Sequence, residues 1–321
     1  MQAEPLTAQL QFQLEREFQP DRNFVKGGRS FYFFDLDDNV IFLATSIYLF
    51  HKKTGSEVAV TTQEYAAISK DVSERGPWKD YELRLDSEVG SFRRFRDLGF
   101  TKETFSESDV KNLNGLAEEH FIVDLAHAMG LPDFHWKGPS WNCFYHATFN
   151  ARPVSLITAR GHHPEVLKAG FREMVNRRHL HREPNYVDIF PVNHPSTRNM
   201  LGDPEKKWSV ARLKQEAIYK SVETAIERFG NNPHHRFGMS DDSPENLELI
   251  TESMRELKRR YPLMSFFVID THQERFIKRE VFAGGSKKNS QVRPESSLQL
   301  DLALEPNREL CSIAASSSVE T

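Results

Sequence analysis

The chain has little cysteine. Cys143 and Cys311 are the two in 321 residues, and they lie far apart, so no disulfide framework is expected and a reducing compartment is the default. It also lacks any apolar run near the roughly 20 residues that span a bilayer. Its first residues, Met1 to Pro5, have neither the basic start nor the apolar stretch of a signal peptide, so the expectation is a cytoplasmic protein with no membrane partner. A net charge of -4 gives no global attraction for nucleic acid. The local basic clusters, Arg177-Arg178, Lys206-Lys207 and Lys258-Arg259-Arg260, fall on expected helix ends and surfaces and read as solvated faces. No phosphate-loop or dinucleotide fingerprint occurs, and Gly27-Gly28 leads into a strand rather than a helix. His179, His181, His194, His234 and His235 repeat no zinc-ligand spacing.

What is present is an alternation of short apolar runs and longer helical patterns. Residues 1–24 form a polar tail with Leu6, Leu10, Leu14 and Phe18 spaced four apart. Ser30-Phe31-Tyr32-Phe33-Phe34 is a continuous aromatic run bounded by turn formers, the signature of a strand buried on both faces. Ile47 to His51 and Glu57 to Thr61 flank Lys52-Lys53-Thr54-Gly55-Ser56 and predict a β-hairpin. From 62 to 149 the pattern turns mostly helical and aromatic. Further strands are expected at Pro153–Thr158, Tyr186–Asp188–Phe190, His235–Ser240 and Ser265–Asp270. Helices are expected over Pro164–Arg178 and Ser209–Phe229, with Ser209 as an N-cap, and between the last two strands. Strands alternating with helices of this length predict an α/β fold with a parallel sheet of about five strands. The domains are then a core of 25–61 and 150–284, a helical insertion at 62–149, and a polar tail from 285 expected to be disordered.

The polar residues fall at strand ends. Asp35 and Asp37 follow the first strand, Thr158 ends the second, and Asp241-Asp242 follow the fourth; Lys214 lies in the helix leading to that fourth strand. Open parallel sheets bind ligands beyond the carboxyl ends of their strands. Carboxylates gathered there repel one another unless a cation joins them, and hard oxygen donors suit Mg2+. An ionised aspartate can attack phosphorus, and a second carboxyl two residues on can pass a proton to the leaving oxygen. A hydroxyl and a lysine would neutralise the transferring phosphoryl group.

These residues resemble the haloacid dehalogenase-like (HAD) hydrolase superfamily. An apolar strand ends in Asp35-Leu36-Asp37, a second ends in Ser155-Leu156-Ile157-Thr158-Ala159-Arg160-Gly161, Lys214 precedes the fourth strand, and that strand ends in Asp241-Asp242. The resemblance covers about residues 28–60 and 150–272. It implies a Rossmann-like core, Asp35 as nucleophile and metal ligand, and Asp37 as general acid/base that also binds the metal through its backbone carbonyl. It further implies Thr158 and Lys214 on the phosphate, and Asp241 with Asp242 completing a magnesium site. Two departures stand out: Asn39 occupies a position where Thr is frequent, and no Gly-Asp pair follows the fourth strand. Glu245 is an outside candidate for the metal, and Lys207 and Lys220 lie near enough to compete with Lys214.

By that resemblance the second aspartate favours phosphate esters over carbon–halogen bonds, and the 62–149 segment sits where relatives carry a cap, which points to a small phosphorylated metabolite. The expected activity is a magnesium-dependent phosphatase. Its alternatives are a phosphotransferase or phosphomutase on the same fold, or a glycosyltransferase using Asp-x-Asp to hold a metal. His162-His163 is expected as an exposed loop pair, Trp136 and Trp141 as packing between cap and core, and Cys143 as packing in or under the cap.

Overall fold

The computed structural model describes residues 17–85, 88–98 and 116–282. The spacing that begins at Leu6, the tail from 285 with Cys311, and residues 99–115 lie outside them.

Among the described residues nine strands follow in chain order: β1 Ser30–Phe34, β2 Ile47–His51, β3 Glu57–Val60, β4 Tyr81–Glu82, β5 Pro153–Thr158, β6 Asn185–Pro191, β7 Arg236–Asp241, β8 Ser265–Asp270 and β9 Ile277–Val281. Among the described residues there are seven α-helices: α1 Thr62–Ile68, α2 His120–Ala128, α3 Trp141–Phe149, α4 Pro164–Asn176, α5 Pro195–Leu201, α6 Val210–Phe229 and α7 Pro244–Arg260.

Six strands form one sheet in the order β6-β5-β1-β7-β8-β9. All neighbours are parallel except β8 and β9. The α/β reading holds, and the order is compatible with a Rossmann-like core. The sixth strand, β9, was not foreseen because its sequence, Ile-Lys-Arg-Glu-Val, alternates charge into what would otherwise be an apolar run. Charged side chains are how an exposed sheet edge is protected from further pairing.

The aromatic run of β1 explains why this strand sits at the centre. Phe31 and Phe33 pack on one face with Ile218 and Val222 of α6 and Met254 of α7. Phe34 packs on the other with Leu125 of α2, Phe144 of α3 and Phe171 of α4. Both faces are therefore dry, as a parallel sheet requires. β1 pairs with β5 on one side and β7 on the other, with Phe34 level with Leu156 and Ser240. The chain fills the sheet to one side of β1 and then crosses to the other, so a switch in strand order falls between β1 and β7.

A smaller antiparallel sheet, β3-β2-β4, forms a satellite layer. The expected hairpin is its β2 and β3, with Ile47 opposite Val60 and Phe50 opposite Glu57. β4 is only two residues long and carries no readable period. Under this sheet, Ile47, Leu49 and Val60 are buried with Tyr65, Trp78, Phe92 and Phe95 against them. The 62–149 segment divides accordingly. α1 and β4 belong to the satellite, while α2 and α3 bury Phe121, Leu125, Trp141 and Phe144 in the main core together with Trp136.

Candidate functional site

The site is built at the carboxyl ends of β1 and β7. Asp35 is the first residue beyond β1, and its backbone N–H donates to Ser240 O at 3.0 Å, extending the β1–β7 ladder by one step. The chain then turns sharply: Val40 and Ile41 N–H both donate to Leu36 O, and Asp38 takes a left-handed φ of 57° with its own N–H on Ile41 O. Aspartate is among the few non-glycine residues that tolerate that conformation.

Asn39 locks this turn in place. It is fully buried. Its amide nitrogen donates to Asp35 O at 2.9 Å, Ser240 Oγ at 2.9 Å and Ser240 O at 3.2 Å. Its carbonyl oxygen accepts from Ser140 Oγ at 2.7 Å and Thr271 Oγ1 at 2.9 Å. One side chain thus ties together the ends of β1, β7 and β8 and the start of α3. A threonine, with one hydroxyl donor, could not make this set of bonds.

Lys214 lies one turn into α6 and is buried. Its ammonium donates to Asp241 Oδ2 at 2.7 Å and lies 3.0 Å from Asp35 Oδ1. Asp241 Oδ1 accepts from Ser243 N and Asn246 Nδ2, each at 3.0 Å. Of the competing lysines, Lys207 is exposed against Glu205, and Lys220 is exposed on α6. Burial works against the charge on Lys214, but Asp241 and Asp35 outweigh it and hold the ammonium above its ordinary range. Burial pushes Asp35 well up; Lys214 opposes this, while Asp241 and Asp242 add to it. Burial and the neighbouring Asp241 push Asp242 up to about 7.

Asp35, Asp241 and Asp242 bring one carboxylate oxygen each within 4.8 Å of one another, the one such group of potential metal ligands among the described residues. Asp35 Oδ1 is buried, and the Lys214 ammonium is its ion-pair partner at 3.0 Å. Three acids gathered beside one lysine offer hard oxygen donors that fit a divalent cation. Glu245 is exposed on α7 and lies outside the group.

No protein-family model, no curated protein and no solved structure matches the chain.

Thr158 ends β5 one strand away and is fully buried, with its hydroxyl accepting from Arg160 N at 3.3 Å. Asp37 does not join the acidic group. Its carboxylate lies in the fork of Arg160, which is fully buried. The exposed histidine pair is a correction: His162 is fully buried beside Phe121, and His163 caps α4 by accepting Glu165 N. Both ring nitrogens of His162 lack partners, and burial, then Arg160, hold the ring well below its ordinary range and therefore neutral. Cys143 is half-buried against the main core, and burial pushes its thiol up to about 12.

The sequence pattern missed three residues here: Asn39 in its role as a hub, Arg160, and His272, whose Nδ1 lies 3.1 Å from Asp242 O. A signal existed for Arg160, an arginine two residues past a buried strand. For Asn39 none did, because Ser140, Ser240 and Thr271 stand more than 100 residues away along the chain.

The satellite layer packs onto the two loops that carry these residues. The side chains of Thr62 and Gln63, at the start of α1, lie beside the Asp38 carboxyl and oppose the upward push of burial on it. Gly161 N donates to Phe95 O at 2.8 Å, and Asp97 accepts the His163 N–H on both oxygens.

Proposed function

We propose that this protein is a magnesium-dependent phosphatase of the HAD type, acting on a small phosphate monoester. The observation that carries the reading is the convergence of Asp35, Asp241 and Asp242 with buried Lys214 at the carboxyl ends of β1 and β7, beside the switch in strand order. Residues from opposite ends of the sequence meet there in a buried, charged arrangement that folding alone does not require.

Asp35 is the nucleophile. Its carboxylate oxygen attacks phosphorus, the ester P–O bond breaks, and an aspartyl phosphate forms. Asp37 gives a proton to the departing ester oxygen and later takes one from the water that hydrolyses the acyl phosphate. Lys214 holds Asp35 and balances the negative charge of the transferring group, with Thr158 as a further donor from β5. A magnesium ion held by Asp35, Asp241 and Asp242, with the Asp37 carbonyl, would supply the remaining charge neutralisation. The satellite sheet and α1, docked on the loops after β1 and β5, are placed to exclude water and select small substrates. The same apparatus serves a phosphotransferase if an acceptor hydroxyl replaces water.

The test is phosphate release from a panel of phosphorylated metabolites with magnesium and with excess chelator. Asp35→Asn is expected to lower turnover by several orders of magnitude while the fold stays intact, because the amide is a far weaker nucleophile. A folded Asp35→Asn protein with substantial activity, or undiminished activity in chelator, overturns the reading.

A further inference from the structure

Arg160 is fully buried, and its Nε and Nη2 find partners in Asp37, while Nη1 has no hydrogen-bond partner. Its Nε lies 2.9 Å from Oδ2 and 3.1 Å from Oδ1, and its Nη2 lies 2.6 Å from Oδ1. Nη2 also donates to Thr45 Oγ1 at 2.9 Å. The Thr45 hydroxyl donates onward to Asp124 Oδ2 at 2.8 Å, and Arg94 Nη2 donates to Asp124 Oδ1 at 2.7 Å. The rings of Phe95 and Phe121 lie 4.9 and 5.0 Å from the guanidinium carbon. Arg160 is thereby fixed in position by its aromatic neighbours and in rotation by Thr45. Simple charge pairing would require neither, since a lysine can hold a carboxylate as a point charge, whereas a planar fork sets its orientation.

The two oxygens of Asp37 are not equivalent in this fork. Oδ1 takes an Nη2–H at 2.6 Å, whereas the single Nε–H is shared between Oδ2 at 2.9 Å and Oδ1 at 3.1 Å. Oδ1 thus carries the shortest bond and one arm of the shared one, which leaves Oδ2 the less engaged oxygen, with a lone pair free.

We propose that Arg160 is a positioning residue for Asp37, fixing the carboxyl plane so that Oδ2 is the atom that exchanges the proton with the ester oxygen. The role rests on the phosphatase reading. During cleavage the proton leaves Oδ2 for the departing oxygen as the P–O bond breaks, and Oδ2 recovers a proton from the attacking water in the second step. The Thr45–Asp124–Arg94 chain makes this orientation depend on α2 and on the turn at 93–95, so the satellite layer and the proton donor are set together.

The test uses two leaving groups. p-Nitrophenolate departs from p-nitrophenyl phosphate without needing a proton, whereas phenolate from phenyl phosphate is far more basic and benefits from one. Arg160→Lys keeps the charge and loses the fork. It is expected to lower kcat on phenyl phosphate by ~30- to 100-fold, and on p-nitrophenyl phosphate by less than ~3-fold. Thr45→Val removes only the hydroxyl that orients Nη2; it should show the same split at about 3- to 10-fold, and it decides the matter if Arg160→Lys does not fold. Equal losses on both esters in a folded variant, or no loss on either, overturn the positioning role while leaving the phosphatase reading intact. Wild-type protein that hydrolyses neither ester and no member of the phosphorylated-metabolite panel overturns that reading and this role with it.

Discussion

The main sheet and the satellite sheet handle charge in opposite ways. At the carboxyl ends of β1 and β7, Asp35, Lys214 and Asp241 are buried and meet at 2.7–3.0 Å. In the satellite, the ion pairs Arg84–Glu82 and Arg93–Glu57 are partly or largely exposed. The difference follows from the apolar support beneath each. The main sheet has dry layers on both faces of β1, whereas the buried residues of the satellite cluster, among those described, are Ile47, Leu49 and Val60. A thick core can hold desolvated charges at fixed distances and bear the cost of doing so. A thin one leaves its charges in water, where each pair contributes little, and belongs at the low-stability end of the molecule. On the proposed function, fixed charges would serve the chemistry and a weakly held layer would serve as its cover.

The largest effect expected from this contrast is at Lys214. Removing one partner of a buried pair leaves uncompensated charge, so Lys214→Met is expected to destabilise the protein by about 3–5 kcal/mol at neutral pH. The sign of its pH dependence follows from burial. Asp35 already sits above its ordinary range, and without the lysine it moves higher still. A carboxyl raised in the folded state contributes stability that is present at low pH and lost as pH rises. The cost of Lys214→Met should therefore be smaller at pH 5 than at pH 7.5, measured by denaturant unfolding. Equal costs at both would mean that the pair is less desolvated than its burial indicates.

This contrast also marks what could be read from the sequence. β1 and β8 were legible because strands buried on both faces leave apolar runs, β5 and β7 from shorter apolar stretches between helices, and so were the terminal residues Asp35, Thr158 and Asp241. The long helices α4, α6 and α7 were legible from period and caps. Charged β9 and two-residue β4 have neither signal. The packing of α2 and α3 into the main core is equally hidden, since an amphipathic helix shows that it has a buried face and not which surface buries it. Within the site, residues at strand ends could be named from local pattern. The fork that draws Asp37 to Arg160, and the bonds of Asn39, depend on contacts between residues distant in sequence, which only the assembled fold brings together.

A middle-sized effect is expected where the two layers meet. Asp97 is buried and receives the His163 N–H on both oxygens at 2.8 and 3.0 Å, and burial pushes its carboxyl up to about 7. With an ordinary value of 3.8, the folded state holds a proton that the unfolded state has lost between about pH 4 and 7. Stability from this group is thus fully present below about pH 4 and lost as pH rises through 7. His194, whose Nε2 lies 3.8 Å from Asp97, is held down to about 4 by burial and acts in the opposite sense between pH 4 and 6.5. The two therefore mask each other in the wild-type curve. Asp97→Asn removes one of them, so the variant should gain on wild type by about 1–2 kcal/mol between pH 4.5 and 7. Paired thermal or denaturant curves that stay parallel across that window would count against Asp97 as a buried titrating link.

The smallest effect is expected inside the satellite, and it is the one most diagnostic of the contrast. Glu57 on β3 accepts from Arg93 Nη2 at 2.6 Å, a short contact that by distance alone would rank with those of Lys214. Distance is the wrong measure here. The Glu57 side chain is 41% exposed, so water solvates the carboxylate whether or not the arginine is present, and salt screens the remainder. Arg93 keeps other partners when the charge is removed: its guanidinium carbon lies 3.4 Å from the centre of the Tyr48 ring, and its Nη1 donates to Gly90 O at 3.3 Å. Glu57→Gln also preserves side-chain length and leaves an acceptor for the same N–H. The expected change in stability is below about 0.5 kcal/mol, and the salt dependence of unfolding should stay unaltered. A loss comparable with that of Lys214→Met would show that the satellite is held by electrostatics after all. Its docking on the loops after β1 and β5 would then be as rigid as the main sheet, and a cover that opens to admit substrate would need a different hinge.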